Sequence, residues 1–325
     1  DQTRGWANSL LKLNVILRGM PEAPYKAFLF QGLVLDENGR KMSKSLGNVI
    51  DSEEVMDKYS ADLYRFYLTW KAAPTDSMSF SLKEMMERPF QILNALYNLS
   101  KFFLQNAQYD NYDPGKRGLN WAIKYRALKT PDYWLLSKLQ RLVDTYTKGF
   151  ENARYNVALR ELEDFVINVL SRSFVPAIRQ ELWDEGERAE KRRNAIYAVV
   201  HHTLQTLIYL FNPVVPFTAE CLHQEVLRKF DPNLPETVNL MKWPEVNSKL
   251  IRPGEEELFD TALQILPQIS AARQKGSIKR RWPLKRAVVV VEDKEKRSRV
   301  KKASQILAGL SNVKRIIVAK TKKEA

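Results

Sequence analysis

Residues 39–51 read GRKMSKSLGNVID. Two lysines and two serines stand between Gly39 and Gly47, after the apolar run KAFLFQGLVLD (26–36) and before SEEVMDKYSADLYRFYLTW (52–70). An unbroken apolar run of that length reads as a strand buried on both faces. Asp51 with Glu54 three residues on reads as the capping box that opens a helix. Strand, loop and helix in that order belong to an α/β sheet, whose ligands sit beyond the carboxyl ends of the strands. Lys41 and Lys44 fall at such an end. Lysine is a mobile point charge suited to phosphate, especially where negative charge moves during a reaction. The two glycines let the backbone bend, and Ser43 and Ser45 add hydroxyl donors. Most loop lysines are only solvated, so the pattern permits a phosphate clamp without requiring one.

Upstream, RGWANSLLKLNVIL (4–17) repeats Trp6, Leu10, Leu13 and Leu17 at helical spacing. Downstream of about residue 80 the strand signals stop. Ile92, Leu96, Leu99 and Phe103 share one helical face, and residues 111–130 read as a polar connection. Thr130-Pro131 then supplies an N-cap and a proline at the first helical position, followed by the stripe Leu135, Leu139, Leu142 and Tyr146. Two long amphipathic segments cover 154–183 and 188–211, Pro213 and Pro216 stop the second, and TAECLHQEVLRKF (218–230) is a shorter helix. One apolar stripe per helix is the pattern of a helical bundle. After proline-punctuated residues 230–253 and a helix near 254–275, RAVVVVE, KRSRVKKASQILAGL and NVKRIIVAK read as strand, helix and strand.

The chain has 325 residues, 44% of them hydrophobic, with no window near the roughly 18 apolar residues of a membrane span. It opens on Asp1 without a charged-then-apolar leader, so a piece of a longer, non-secreted protein is expected. The single cysteine, Cys221, excludes an internal disulfide framework and a Cys-rich zinc site, which fits a cytoplasmic compartment. His201 and His202 are adjacent and face different sides of a helix; with His223 they read as packed or solvated rather than as metal ligands. The formal net charge is +14, and residues 266–325 hold 18 of the 52 Lys+Arg but 4 of the 38 Asp+Glu. Residues 1–265 are therefore balanced, and the whole excess lies in the last sixty residues. So one-sided an imbalance points to a polyanion such as RNA.

KMSKS at 41–45 matches letter for letter the signature of class I aminoacyl-tRNA synthetases, a match that chance would give a chain of this length about once in ten thousand. DQTRGW (1–6), GLVLDENGRKMSKSLGNVID (32–51), FNPVVPFTAE (211–220), MKWPEV (241–246) and ARQKGSIKRRWPL (272–284) all resemble stretches of the isoleucyl-tRNA synthetase family. The resemblance implies a mostly α chain in three parts. Residues 1–85 would be the end of a Rossmann-type α/β catalytic domain, 86–253 an α-helical anticodon-binding bundle, and 254–325 a small basic α/β appendage. Lys44, assisted by Lys41, would contact ATP phosphates in the adenylation transition state, with Ser43 and Ser45 in the same site. Asp1, Gln2 and Trp6 would lie along the aminoacyl-adenylate pocket. Arg172 and Arg179 in the bundle, and Arg280 and Arg281 in the appendage, would meet tRNA. ATP with Mg2+, isoleucine and isoleucine tRNA are the implied substrates, with no zinc, no membrane and a monomeric state expected.

The chain also departs from the family. Ala7 stands where the family usually has phenylalanine. In LSRSFVPAIRQELW (170–183), Ser173 replaces a tryptophan and Pro176 is expected to break the helix. No HxGH-type motif is present, so the other half of the nucleotide site and the editing domain are expected to lie outside these residues. Three alternatives stay open at this point: a valyl or other large class I enzyme, an RNA-binding module that keeps the loop as a relic, and a protein-interaction scaffold.

Overall fold

A computed structural model describes residues 3–19, 22–186 and 189–321. The chain divides into two compact units, one of Asp1–Pro89 with Lys148–Arg160, the other of Phe90–Thr147 with Glu161–Ala325.

In the first unit, a π-helical turn at Thr3–Ala7 continues into α1 (Asn8–Arg18), which ends at Gly19 in the left-handed conformation. The helical spacing of Trp6, Leu10, Leu13 and Leu17 does not produce a core stripe. All four are exposed, from 40% at Leu10 to 77% at Leu17, while Ala7 and Asn14 are buried. The run at 26–36 differs from expectation in a related way. Only Val34–Leu35 forms a strand, β1, paired parallel with β2 (Met78–Ser79), and Phe28, Leu29, Phe30 and Leu33 are exposed. A parallel sheet buries such a run only with neighbours on both sides. Among the described residues β1 has one neighbour, two residues long.

The expected single helix over 52–70 is two, α2 (Ser52–Lys58) and α3 (Ala61–Lys71), each with its own cap. Asp51 accepts from the Glu53 N–H at 2.8 Å in place of the box with Glu54, and Ser60 accepts from the Leu63 N–H. Leu63, Phe66, Tyr67 and Trp70 of α3 are buried, and Phe80 sets its ring edge-on to Tyr67 at 5.4 Å. The Tyr67 hydroxyl donates to Glu84 at 2.9 Å and accepts from the Ser81 N–H, and Lys71 pairs with the same carboxylate. Burial pushes the Tyr67 hydroxyl pKa up.

The long helix α4 (Leu82–Tyr109) continues past the end of the first unit and buries Ile92, Leu96 and Phe103. The stretch read as a connection carries two short helices, α5 (Pro114–Arg117) and α6 (Leu119–Lys124). Asp113 caps the first with Pro114 at its first position. In α7 (Thr130–Glu151) the predicted stripe of Leu135, Leu139, Leu142 and Tyr146 is buried, and the helix starts at Thr130 itself. Next come α8 (Tyr155–Asp164), a π-helical stretch at Phe165–Phe174, and α9 (Val175–Leu182). Pro176 does not break this run. Proline lacks an N–H and crowds the carbonyl four residues back. The wider π turn just before it, with the Val175 N–H bonded to Leu170 O, opens the helix at that place.

The most buried helix is α10 (Ala189–Phe211), followed by α11 (Pro216–Leu222), a π turn and α12 (Arg228–Phe230). Phe103, Tyr112, Tyr197, His201 and Phe230 cluster with ring centroids 5.3–6.4 Å apart. His201 is thus packed in this cluster, while His223 meets the Pro235 carbonyl at 2.8 Å. The C-terminal part is a parallel β–α–β unit of β3 (Ala287–Val290), α14 (Lys294–Ser311) and β4 (Ile316–Ala319), with α14 packed on α13 (Pro253–Lys275). Buried Arg273 fastens it, donating to the carbonyls of Trp282, Ser311 and Asn312 at 2.7–2.9 Å. The charge boundary at residue 266 falls in the middle of α13 and is not a structural one.

Candidate functional site

The lysine loop begins where β1 ends. Asp36, 6% exposed, closes it from beneath. Its Oδ1 accepts from the N–H groups of Asn38 at 3.0 Å and Arg40 at 2.8 Å, and its Oδ2 from Asn48 Nδ2 at 2.9 Å and Arg40 Nε at 3.1 Å. These donors, the Asn48 amide foremost, hold the Asp36 carboxyl at a pKa of about 2, well below the usual carboxylate range. Asn48 also accepts from the Ser43 N–H at 2.9 Å and donates to the Lys41 carbonyl at 3.3 Å. Gly39 (φ 75°) and Gly47 (φ 65°) take the left-handed conformation at the two bends, as the glycine bracket predicts. Lys44–Leu46 form one 3-10 turn, and the Ser43 and Ser45 hydroxyls lie 3.1 Å apart.

The side chains of Lys41 and Lys44 are exposed, with no hydrogen bond or ion pair among the described residues. A braced backbone that presents two unneutralised ammonium groups is suited to stabilise negative charge on a ligand, because little reorganisation is needed when that charge develops. Sequence reasoning found the lysines and serines and missed Asp36 and Asn48, which build the loop.

Residues 1–81 match the family described as tRNA synthetases class I (I, L, M and V), and residues 132–289 match the anticodon-binding domain of tRNA ligase. The isoleucine–tRNA ligase of Methanopyrus kandleri is 37% identical over 316 residues, 97% of this chain. Over nearly its whole length the chain is homologous to class I aminoacyl-tRNA synthetases. The isoleucine–tRNA ligase of Methanosarcina barkeri is likewise 37% identical, over 98% of this chain. The chain spans 28% and 29% of the lengths of these two relatives. Among solved structures, the Agrobacterium radiobacter K84 LeuRS-tRNA-LeuAMS ternary complex shares the fold, with a TM-score of 0.57 and 22% identity over 74% of this chain and 27% of that one. The Mycobacterium tuberculosis methionyl-tRNA synthetase complex with methionyl-adenylate has a TM-score of 0.50, at 20% identity over 66% of this chain and 42% of that one.

The other site residues expected of a class I synthetase belong to other segments of the chain. Asp1 and Gln2 fall outside the described residues, and Trp6 is 69% exposed on the π-helical turn. Arg172 is exposed and donates to Asn168 at 3.2 Å, and Arg179 is exposed with its guanidinium 5.8 Å from the ring of Trp183, itself 64% exposed. Arg280 and Arg281 are exposed, and Arg280 donates to the Leu310 carbonyl at 3.0 Å.

Parallel pairing in the appendage creates a feature the sequence hides. Leu284 bridges Val313 and Ala287 pairs with Ile316, so Lys285 stands beside Lys314 and Arg286 beside Arg315. All four are exposed, with no side-chain ion pair among the described residues. No helix among the described residues is long and apolar enough to cross a membrane.

Proposed function

We propose that this chain is the part of an isoleucine–tRNA ligase that carries the lysine loop and the anticodon-binding bundle. The observation that carries the reading is the pair of unneutralised lysines on a loop braced by Asp36 and Asn48. In the reaction an isoleucine carboxylate oxygen attacks the α-phosphorus of ATP, and the bond to pyrophosphate breaks. Lys44, with Lys41 beside it, stabilises the charge that collects on the departing pyrophosphate, and Mg2+ accompanies ATP as part of the substrate. A terminal ribose hydroxyl of the tRNA then attacks the aminoacyl carbonyl and releases AMP. Asp1, Gln2 and Trp6 line the adenylate side, and residues 1–85, 86–253 and 254–325 are the catalytic end, the bundle and the appendage.

The exposed apolar faces of α1 and of residues 28–33 support this reading, because they suit burial by further strands and helices of a catalytic domain. Arg172, Arg179, Arg280 and Arg281 are the proposed tRNA contacts. The lone unpaired Cys221 suits a cytoplasmic setting.

The test is Lys44→Ala in a polypeptide of the relatives' full length that carries this segment. Pyrophosphate exchange should lose about 10²–10³ in kcat with little change in KM for isoleucine. Lys41→Ala should cost less. Equal and negligible effects would return the loop to a solvated surface.

A further inference from the structure

A cavity of about 510 Å³ in the second unit is not accounted for by the lysine loop or by the proposed arginine contacts. It opens between α6, the middle of α10 and the segment after Met241, and its volume lies within the roughly 300–1,000 Å³ of small-ligand sites.

Its floor is polar and under-used. Gln140, only 3% exposed, accepts from the Asn247 N–H at 2.7 Å. That bond fixes which end of the amide is oxygen, so the Gln140 NH2 faces the cavity with no partner among the described residues. Gln205 Nε2 donates to the Tyr209 hydroxyl at 2.9 Å, which leaves Gln205 Oε1 free to accept and the Tyr209 O–H, on a residue 8% exposed, free to donate. His202 also lines the cavity with both ring nitrogens unpartnered, and burial lowers its pKa, so the ring stays neutral and offers one donor and one acceptor. Trp121 forms a wall, and at the mouth stand the exposed Lys242 and Glu245.

These groups discriminate among ligand chemistries. An apolar ligand would strand several buried polar groups, at a cost in affinity for each. A bare phosphate would find no cation on the floor. A planar heterocycle with mixed donors and acceptors on its edge satisfies the floor and stacks on an indole wall, which is how unpaired bases are held by proteins. We propose that this cavity takes one nucleotide, its base edge on Gln140, Gln205 and Tyr209, its face toward Trp121 and its phosphate near Lys242. The nucleotide is an unstacked residue of a bound RNA or a free mononucleotide. The first source rests on the RNA-binding reading above; the cavity chemistry does not.

The experiment uses the 325-residue chain. Nucleoside monophosphates are titrated by calorimetry, tRNA by filter binding, and tRNA bearing 4-thiouridine, or 4-thiouridine monophosphate alone, is photo-crosslinked to the unsubstituted chain with peptide mapping. A monophosphate should bind saturably, Trp121→Ala should weaken it about five- to a hundred-fold, and crosslinks should map to residues 114–124 or 200–209. An equal loss of tRNA affinity in Trp121→Ala assigns the site to an RNA base. Unchanged tRNA affinity, or no tRNA binding at all, assigns it to a free nucleotide. Absence of saturable binding with no crosslink in those segments, or binding indifferent to both Trp121→Ala and Lys242→Ala, overturns the inference. Mapping on the unsubstituted chain keeps the test decisive if Trp121→Ala does not fold.

Discussion

Asn48 closes the lysine loop by holding Asp36 with one end of its amide and the Ser43 backbone with the other, at 2.9 Å in each case. One side chain thereby fixes the start and the middle of the segment that presents Lys41 and Lys44. The positions of those ammonium groups depend on a residue that carries no charge.

Asn48→Ala should therefore loosen the loop while leaving the rest of the first unit folded. Trypsin cuts after Arg40, Lys41 and Lys44 only when this backbone opens. Losing two hydrogen bonds of about 1 kcal/mol each should raise that cleavage rate by roughly thirty-fold. Mass spectrometry of early digestion products gives the rate. An unchanged rate would mean that the glycine bends and the 3-10 turn suffice.

His201 predicts how stability responds to acid. It packs against Phe103, Tyr112, Tyr197 and Phe230, with Nε2 sealed and unpartnered. Burial, then the neighbouring His202, lower its pKa from 6.5 to about 4, while Asp231 pulls the other way. Above pH 6.5 the ring is neutral folded or unfolded. Between 6.5 and 4 the unfolded chain binds a proton that the folded chain refuses, so stability falls as pH falls. The loss by pH 4 is on the order of 3 kcal/mol. His201→Phe should remove most of it, so that urea midpoints at pH 7 and pH 4.5 lie closer together than in the unsubstituted chain. The part due to His202, also lowered by burial, should remain.

The sequence disclosed most where a segment buries its own apolar face within the chain. The stripes of α4 and α7 were legible for that reason, since Ile92, Leu96, Leu135 and Leu139 are fully buried on the predicted faces. Trp6, Leu17 and Phe30 carry equally clear patterns yet lie exposed, because periodicity states which face is apolar and not what covers it. Pro176 was misread because proline's effect depends on the turn before it, and a π turn leaves no mark in the residue pattern. The lysines were legible as a motif. Asp36 and Asn48 stand outside that motif, and their roles exist only once the chain has doubled back.

Asp132 should be among the most sensitive positions of the second unit. It is fully buried, accepts from the Lys129 N–H at 2.7 Å, and pairs with Arg192, which also reaches Glu181 at 2.6 Å. Burial pushes the Asp132 carboxyl pKa up against the pull of Arg192. Asp132→Ala leaves Arg192 largely buried with half its partners and should cost about 3 kcal/mol in urea unfolding. Asp132→Asn keeps an acceptor for the Lys129 N–H and gives up only a charge that burial already disfavours, so it should cost less. Equal losses would show that the charge, not the hydrogen bond, is what the site requires.

The paired cations of the appendage carry the last prediction. Strand register places Lys285 by Lys314 and Arg286 by Arg315, and the two exposed like charges of each pair repel one another unless an anion intervenes. A phosphate backbone is the anion proposed here. Each phosphate contact releases counterions from the nucleic acid, so the salt dependence of binding counts the contacts. Replacing all four residues with glutamine should weaken cognate and non-cognate tRNA alike, because a backbone contact reads no sequence. It should also flatten the log–log slope of affinity against salt by about 0.9 for each phosphate lost from a duplex region, so by roughly 3 to 4 in all. The fold should survive, since the side chains are exposed and the β3–β4 ladder is made by the backbone. Filter binding of both tRNAs across a salt series, with thermal unfolding as the control, decides it. An unchanged slope with an intact fold would place the phosphate contacts elsewhere. A loss confined to the cognate tRNA would make this cluster a determinant of selectivity and would move that role out of the helical bundle.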